Sequence, residues 1–488
     1  MSRGTELAAG HPRVPCFYVT VGESWKEAMS VRRDLGGGLV LRRARPEDSE
    51  ALAAFNGYVH RSREDGEADE SLSIYTRDLM AGALPTVGPS DFTVVEDTSD
   101  PKSAAPIVSS LGLISQTWAY TDAGESVCFG LGRIELVGTD PAYRAHGLVR
   151  AQIDEVHRWS AERGELVQCM GGIPYFYRQF GYELALGSPG GRSCHPSRIP
   201  RLAPGQTEAY RVRPAVGADL PLFSALVERG DRRYLVSCRR DAELWRYELS
   251  GRSRDSFAGS ALSVVELGTG ETVGCLVHDR WLKPNWSSSI GASTFELVAG
   301  ASWPEATPCV LRYLLAIGER SAREGTSLHF NRLALGLGLD HPACRVAATV
   351  LNEVNQPGVW YVRVADVPAF LRQTGPVLEA RLQASPLAGY TGEFKLSFYR
   401  AGTRLAFERG RLTAAEPWRP SPSARGCLPD AHGHASFPDF SFLKLLFGYR
   451  DLDELHQAFP DCLVHGDDSR MLLEILFPKR PSHLWPLS

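Results

Sequence analysis

Apolar residues in this chain of 488 fall into short runs and helical stripes that alternate. Leu39-Val40-Leu41 follows Gly36, Gly37 and Gly38 and ends in Arg42-Arg43-Ala44, which predicts a strand. Pro46 suits the first turn of a helix, and Glu47 and Asp48 suit its N-terminal dipole. Leu52, Phe55 and Val59 then recur at helical spacing. Further on, Ile134–Val137 reads as a strand, and Leu148, Val149, Ile153 and Val156 as one helix face. Leu166–Met170 reads as a short apolar strand. The alternating run from Glu393 to Tyr399 predicts another strand. Helices are expected at Phe440–Phe447 and Asp453–Ala458, and Met471–Phe477 is a last apolar segment.

The pattern repeats. Tyr210–Pro214 followed by Asp219, Leu220, Phe223 and Leu226 has the grammar of residues 39–55, with Arg45-Pro46 matched to Arg213-Pro214. Residues 136–164 and 297–325, 161 positions apart, both run strand, proline turn, helix, Ser-Ala and a closing Gly. Two copies of one α/β unit are expected. The Pro/Gly-rich stretch Gly187–Pro204 reads as the linker between them. The expected order is an N-terminal extension (1–35), a first unit (36–187), a second (205–376) and a third region (377–488), the last holding a Pro/Ser/Gly-rich loop at 417–433.

Composition narrows the class. With 43% hydrophobic and 23% charged residues the chain is an ordinary globular protein. A net charge of −4 argues against a nucleic-acid partner. No apolar run reaches membrane-spanning length and no signal-peptide core is present, so a cytoplasmic protein with no membrane partner is expected. The ten cysteines form no C-x-x-C pair and read as reduced thiols.

The strongest chemical signal is Tyr143-Arg144-Ala145-His146-Gly147-Leu148-Val149-Arg150, set between a strand and a helix. Backbone N–H groups at such a helix start, with the helix dipole behind them, favour an anion. Arg144 adds a charged donor, and diphosphate is the matching ligand class. Leu166–Met170 comes next, followed by Tyr175-Phe176-Tyr177-Arg178-Gln179-Phe180-Gly181-Tyr182.

Together these two segments resemble the GNAT N-acetyltransferases. There an Arg-x-x-Gly-x-Gly/Ala loop holds the coenzyme A pyrophosphate, and a Tyr-x-x-Phe-Gly-aromatic segment follows. Residues 141–150 fit the enhanced-intracellular-survival (Eis) type: proline, two residues, Arg-x-x-Gly-Leu, aliphatic, Arg. The resemblance covers residue 38 to the end. It implies an α/β chain of two tandem GNAT folds followed by an α+β sterol-carrier-like domain, with acetyl-coenzyme A as cofactor. The second unit has Glu305-Ala-Thr-Pro308-Cys309 at the loop position, without glycine, so it is expected to be a scaffold.

The resemblance also implies site residues. Leu136, Val137, Gly138, Arg144, Ala145, His146, Gly147, Leu148 and Val149 would hold the coenzyme, with an N–H near Val137 or Gly138 polarising the thioester oxygen. Tyr177 matches the general acid, and Tyr175 is a second candidate because Ile173 is separated from Tyr177 by three residues. The chain's terminal carboxylate, here on Ser488, would be the base. A homo-oligomer, the hexamer of the Eis type, is implied as well.

On the acceptor side, Glu64, Asp65, Glu67, Asp69 and Glu70 form an acidic stretch suited to a polycationic amine, and also to a solvated loop. Glu135 is a single candidate for contacting the amine. Asp430, His432 and His434 form a short metal-like tract in the 417–433 loop, read here as a loop without metal. The expected function is acetyl transfer to a primary amine of a cationic small molecule, such as an aminoglycoside-type antibiotic. Two alternatives stand beside it: a natural-product tailoring enzyme with another acyl donor or altered chemistry, and a non-catalytic coenzyme- or lipid-binding module.

Overall fold

The computed structural model describes residues 32–62, 66–100, 106–282, 288–324, 329–420 and 433–484. Strands β1 (Arg32–Gly36), β2 (Leu39–Arg43), β3 (Phe92–Asp97), β4 (Ile107–Asp122), β5 (Glu125–Thr139), β6 (Val167–Met170) and β7 (Glu183–Gly187) belong to the first unit. Helices α1 (Ser49–Val59), α2 (Glu70–Met80) and α3 (Leu148–Glu162) pack on them. β8 (Gly191–Cys194) and β9 (Tyr210–Pro214) lead into the second unit, with β10 (Val236–Cys238), β11 (Ser260–Leu267), β12 (Thr272–Asp279), β13 (Ser289–Leu297), β14 (Arg332–Leu335), β15 (Glu353–Asn355) and β16 (Val359–Val364).

The two units exchange strands. Among the described residues the first sheet has the order β1-β2-β3-β4-β5-β6-β16-β7, with β10 paired to β4. The second sheet runs β15-β8-β14-β13-β12-β11-β9. β16 therefore separates β6 from β7 in the first sheet, pairing antiparallel with both. β8, inside the stretch read as a linker, pairs with β14 and β15 of the second sheet. That stretch is therefore structural rather than a mere connection.

The duplication is visible in one ion-pair motif. Arg42 on β2 meets Asp48 (2.7 Å) and also pairs with Glu96; Arg213 on β9 meets Asp219 (2.7 Å) and Glu266 (2.6 Å). Each aspartate also accepts the backbone N–H three residues earlier, at Arg45 or Val216. The equivalent arginines are thus Arg42 and Arg213. The match of Arg45-Pro46 to Arg213-Pro214 was three residues out of register.

In the second unit a single helix, Trp303–Glu324, starts before the position matching Arg144 and runs through it, with Pro308 inside. Helical backbone replaces the loop there. The third region forms a sheet of Gly392–Ser397, Gly402–Glu408, Arg411–Trp418, Ala435–Ser436 and Leu463–Val464. Helices Phe442–Leu446, Leu452–Ala458 and Asp467–Leu476 accompany it. Its core is continuous with the far end of the first unit: Phe370 stands edge-on to Phe129 (5.2 Å) and Tyr120 (6.0 Å) and packs on Phe447.

The last described residues thread between the units. Leu235 N donates to Pro481 O (2.9 Å), Ser482 N to Gly187 O (3.1 Å) and His483 N to Val236 O (2.8 Å). The tail runs parallel to β10, whose direction is opposite to that of β4. Cys128 is disulfide-bonded, which departs from the expectation of ten reduced thiols. Among the described residues no helix is long and apolar enough to cross a membrane, and no group of three or more metal-type side chains assembles. Asp430 and His432 lie outside the described residues; His434 accepts the Lys395 N–H (2.9 Å) and stacks on Phe394.

Candidate active site

The site forms where β5 leaves its neighbour. β5 pairs with β6 only through Leu131–Arg133, opposite Val167–Cys169. From Ile134 to Thr139 that edge of β5 carries no strand partner among the described residues, while its other edge stays paired with β4. In that stretch Ser110 faces Gly138 and Gly112 faces Glu135, so Leu136 and Val137 oppose Leu111 alone. This is a β-bulge, and Leu136 sits at φ +52° within it. The bulge lifts Val137 off the ladder beside the open edge.

A cleft of about 610 Å³ occupies the gap. One wall is Val137, Gly138 and Thr139; a second is Tyr143, Arg144, Ala145, Gly147, Leu148, Val149 and Arg150. The third is Ile173, Phe176, Tyr177, Gln179 and Phe180, and Val59 and His60 close it from the end of α1.

The loop before α3 is built for an anion. Ala145 (φ +64°) and Gly147 (φ +73°) both take left-handed backbone, which turns successive amides into a concavity. Among the described residues no side chain caps the N-terminus of α3, whereas Asp69 caps α2. The first-turn N–H groups of a 15-residue helix therefore face the cleft with Arg144 and Arg150 beside them. A diphosphate fits that set. The open β5 edge beyond it offers backbone hydrogen bonds to an extended amide-bearing arm, as coenzyme A carries, and the cleft leads from one to the other.

Tyr177 lines the third wall. It lies in a 3₁₀ turn, Phe176–Phe180, held between Tyr175 (φ +70°) and Gly181 (φ +86°). Its ring packs edge-on to Phe176 (5.1 Å) and to Tyr361 from β16 (5.5 Å). Burial, helped by the charge of Glu135, pushes its phenol up to about 12, so it keeps its proton at neutral pH. Tyr175 is 75% exposed, lies near Arg178 and does not line the cleft.

Other expected residues fall elsewhere. The Leu136 side chain is buried among α1 and α2 rather than in the cleft. His146 folds its Nδ1 back to the Tyr143 and Arg144 carbonyls (3.1 and 2.9 Å), and its exposed ring is not part of the lining. Glu135 lies on β5 and pairs with Arg133. Glu64, Asp65 and Ser488 lie outside the described residues. Of the acidic stretch, Asp69 is the α2 cap and Glu70 pairs with Arg77 (3.0 Å).

His60 is a cleft residue that no motif announces. It follows α1 directly, lines the cleft, and its Nε2 has no hydrogen-bond partner among the described residues. A Cβ on Gly138 would stand 3.3 Å from that nitrogen. Desolvation lowers its pKa, partly offset by the Leu136 carbonyl, so the imidazole is neutral at pH 7.

Residues 41–185 match the family described as the acetyltransferase (GNAT) domain. With the splayed strand and the amide-lined loop, this makes the chain an enzyme, an acyltransferase whose donor is acetyl-coenzyme A. The fold extends over most of the chain. The GCN5-related N-acetyltransferase from Kribbella flavida superimposes with a TM-score of 0.56 at 15% identity, covering 91% of this chain and 97% of that one. The corresponding protein from Anabaena variabilis gives 0.55 at 14%, covering 91% and 98%. Eis1 from Mycobacterium abscessus gives 0.53 at 15%, also covering 91% and 98%. At these identities the likeness is one of fold. No match to the sequence is found among curated proteins.

Proposed function

We propose that the chain transfers the acetyl group of acetyl-coenzyme A to a primary amine of a small molecule, with Tyr177 as general acid. The observation that carries this reading is the position of Tyr177. Its ring lines the same cleft as Arg144, Ala145, Gly147, Leu148 and Val149, and its raised phenol keeps its proton. Acetyl-coenzyme A supplies the activated acetyl carbon. In this reading the new bond is N–C and the bond broken is C–S. The Val137 amide stabilises negative charge on the carbonyl oxygen, and Tyr177 delivers its proton to the departing sulfur. Arg144 and the α3 N-terminus hold the diphosphate, so binding and proton delivery fall on different elements.

The amine must lose a proton. The Ser488 carboxylate is kept as the base in this proposal. The tail supports it by its direction: parallel to β10, it leads from the level of Ala119 on β4 toward the bulge. The aminoglycoside-type acceptor gains no support from the described residues, because Glu135 is already paired with Arg133 and Asp69 caps a helix. A sterol-carrier-like third domain and a homo-oligomer stay proposals that rest on the resemblance.

Tyr177→Phe tests the reading. It keeps the ring packing and removes the proton, so kcat should fall about 10²- to 10⁴-fold while coenzyme A affinity, measured by calorimetry, stays the same. Near-normal turnover overturns the role of Tyr177.

A further inference from the structure

Beside the β5 bulge lies a seam between the two units, where Leu136 shares an apolar cluster with Tyr75 and Tyr247. Phe257 N donates to Ser71 O (2.9 Å), Ser253 Oγ donates to Asp78 Oδ1 (2.6 Å), and the Phe257 ring lies 6.4 Å from that of Tyr75 on α2. Tyr247 packs into the same apolar cluster as Tyr75, Ile114 and Leu136. Residues 247–257 of the second unit therefore pack on α2 and, through Tyr247, on the cluster that holds Ile114 of β4 and Leu136 of β5.

This seam holds an unusual inventory. Nε and Nη1 of Arg133, Nε and Nη1 of Arg252, and the hydroxyls of Tyr75 and Tyr247 are all buried without a hydrogen-bond partner among the described residues. The Arg252 side chain is fully buried and that of Arg133 is 9% exposed. Each guanidinium does have one acid, Arg133 with Glu135 and Arg252 with Glu248 (3.2 Å). The charges are thus balanced, while six N–H and O–H donor atoms of these four residues carry no hydrogen bond among the described residues. Buried donors without acceptors are costly and rare, and a concentration of them calls for an acceptor-rich group. Planar guanidinium forks suit a carboxylate best.

We propose that the amine acceptor carries a carboxylate, received at this seam by Arg133, Arg252, Tyr75 and Tyr247. The inference rests on the acetyl-transfer reading above and names its substrate class: a zwitterionic, amino-acid-like amine. Its amine end lies toward Glu135, two residues along β5 from the cleft residue Val137. A polycation meets no unneutralised acid here, whereas a zwitterion adds one acceptor group to these donors and leaves the charge balance intact.

Two measurements decide it. Thiol release from acetyl-coenzyme A is followed with matched amines, phenylalanine against phenethylamine and lysine against cadaverine. The carboxylated member should have at least a tenfold higher kcat/KM, and Arg252→Lys, which keeps the charge but loses the fork, should shrink that ratio. Preference for the decarboxylated member in both pairs overturns the proposal. Calorimetry on the coenzyme-A-loaded enzyme supplies the readout that needs no turnover. Phenylacetate should bind at least tenfold tighter than phenylacetamide, and Arg252→Lys should erase the difference. Equal affinities, or no binding of either, overturn the proposal. Binding of phenylacetate that emerges only when residues 485–488 are removed would assign the donors to the chain's own end, and also overturns it. If no amine releases thiol but phenylacetate binds selectively, the carboxylate site stands and the amine-transfer reading fails.

Discussion

Gly172→Ala should disable the enzyme through a single methyl group. A Cβ at that position would lie 2.3 Å from Cε2 of Tyr177, 3.0 Å from Cδ2 and 3.2 Å from Cζ. Ordinary contact begins near 3.4 Å, so the ring must retreat by about 1 Å. It has nowhere cheap to go, because it is 4% exposed and wedged against Phe176 and Tyr361. Overpacking of this kind costs about 1–3 kcal/mol of stability. The larger effect is on geometry, since a displacement of about 1 Å in a positioned catalytic group costs about 100-fold in rate. Gly171→Ala is the matched control: its Cβ would stand 3.8 Å from the Trp360 indole, an ordinary contact. Neither glycine uses left-handed backbone, so conformational strain does not confuse the comparison. The assay is thiol release from acetyl-coenzyme A with an active amine, beside calorimetric coenzyme A binding. Gly172→Ala should lose about 100-fold in kcat with unchanged affinity, and Gly171→Ala should match the parent enzyme. Equal behaviour of the two variants would refute the placement of Tyr177.

Three other outcomes are expected. Arg144→Gln should weaken coenzyme A binding about tenfold, the worth of one charge-assisted hydrogen bond, measured by calorimetry; unchanged affinity would remove Arg144 from the diphosphate site. Burial holds His157 and His341 near about 3 and His278 near about 4, below the unfolded value of about 6.5. The unfolded chain therefore binds more protons in acid. Their contribution is complete above about pH 6.5 and lost as pH falls toward 4, at about 2 kcal/mol each by pH 5. A Tm that does not fall between pH 7 and 5, or a fall that His278→Gln leaves unaltered, would contradict this. Phe370→Ala should cost about 3–5 kcal/mol in denaturant unfolding, because the ring joins the first unit to the third region; a loss below about 1 kcal/mol, the range of surface changes, would refute that joint role.

The Arg144 loop and Tyr177 were legible because each sits in a local pattern, a strand–helix turn in one case and an aromatic-glycine turn in the other. The tandem order was legible from repeated spacing. His60 was not, since a lone histidine after a helix carries no pattern; only the approach of Gly138 gives it meaning. The bulge at Leu136 was hidden for a related reason, because which strand residue is displaced depends on the partner strand. The Arg42–Arg213 equivalence was missed by three residues, as a Arg-Pro pair is a weaker anchor than an arginine clamped by two acids. Strand pairing is the clearest case. The apolar run Val359–Val364 marks a strand while Gly191-Arg192-Ser193-Cys194 carries no apolar pattern, and period-two patterning says nothing about which sheet receives either. Charge balance at the seam depends likewise on residues 133, 135, 248 and 252 meeting in space.

The crossed strands also set a timetable for synthesis. β7 ends at Gly187, yet it cannot join its sheet until β16, ending at Val364, arrives to stand between it and β6. The 177 residues from Gly187 to Val364 take about 10–35 s to translate at 5–20 residues per second. For that time the nascent first unit holds an incomplete sheet with the edge of β6 bare, the kind of edge that recruits stray strands. Tyr361, which braces the Tyr177 ring, arrives with β16. The packing around Tyr177 is therefore complete only after most of the second unit has left the ribosome, and slower translation or chaperone cover across residues 188–364 should raise the yield of folded protein.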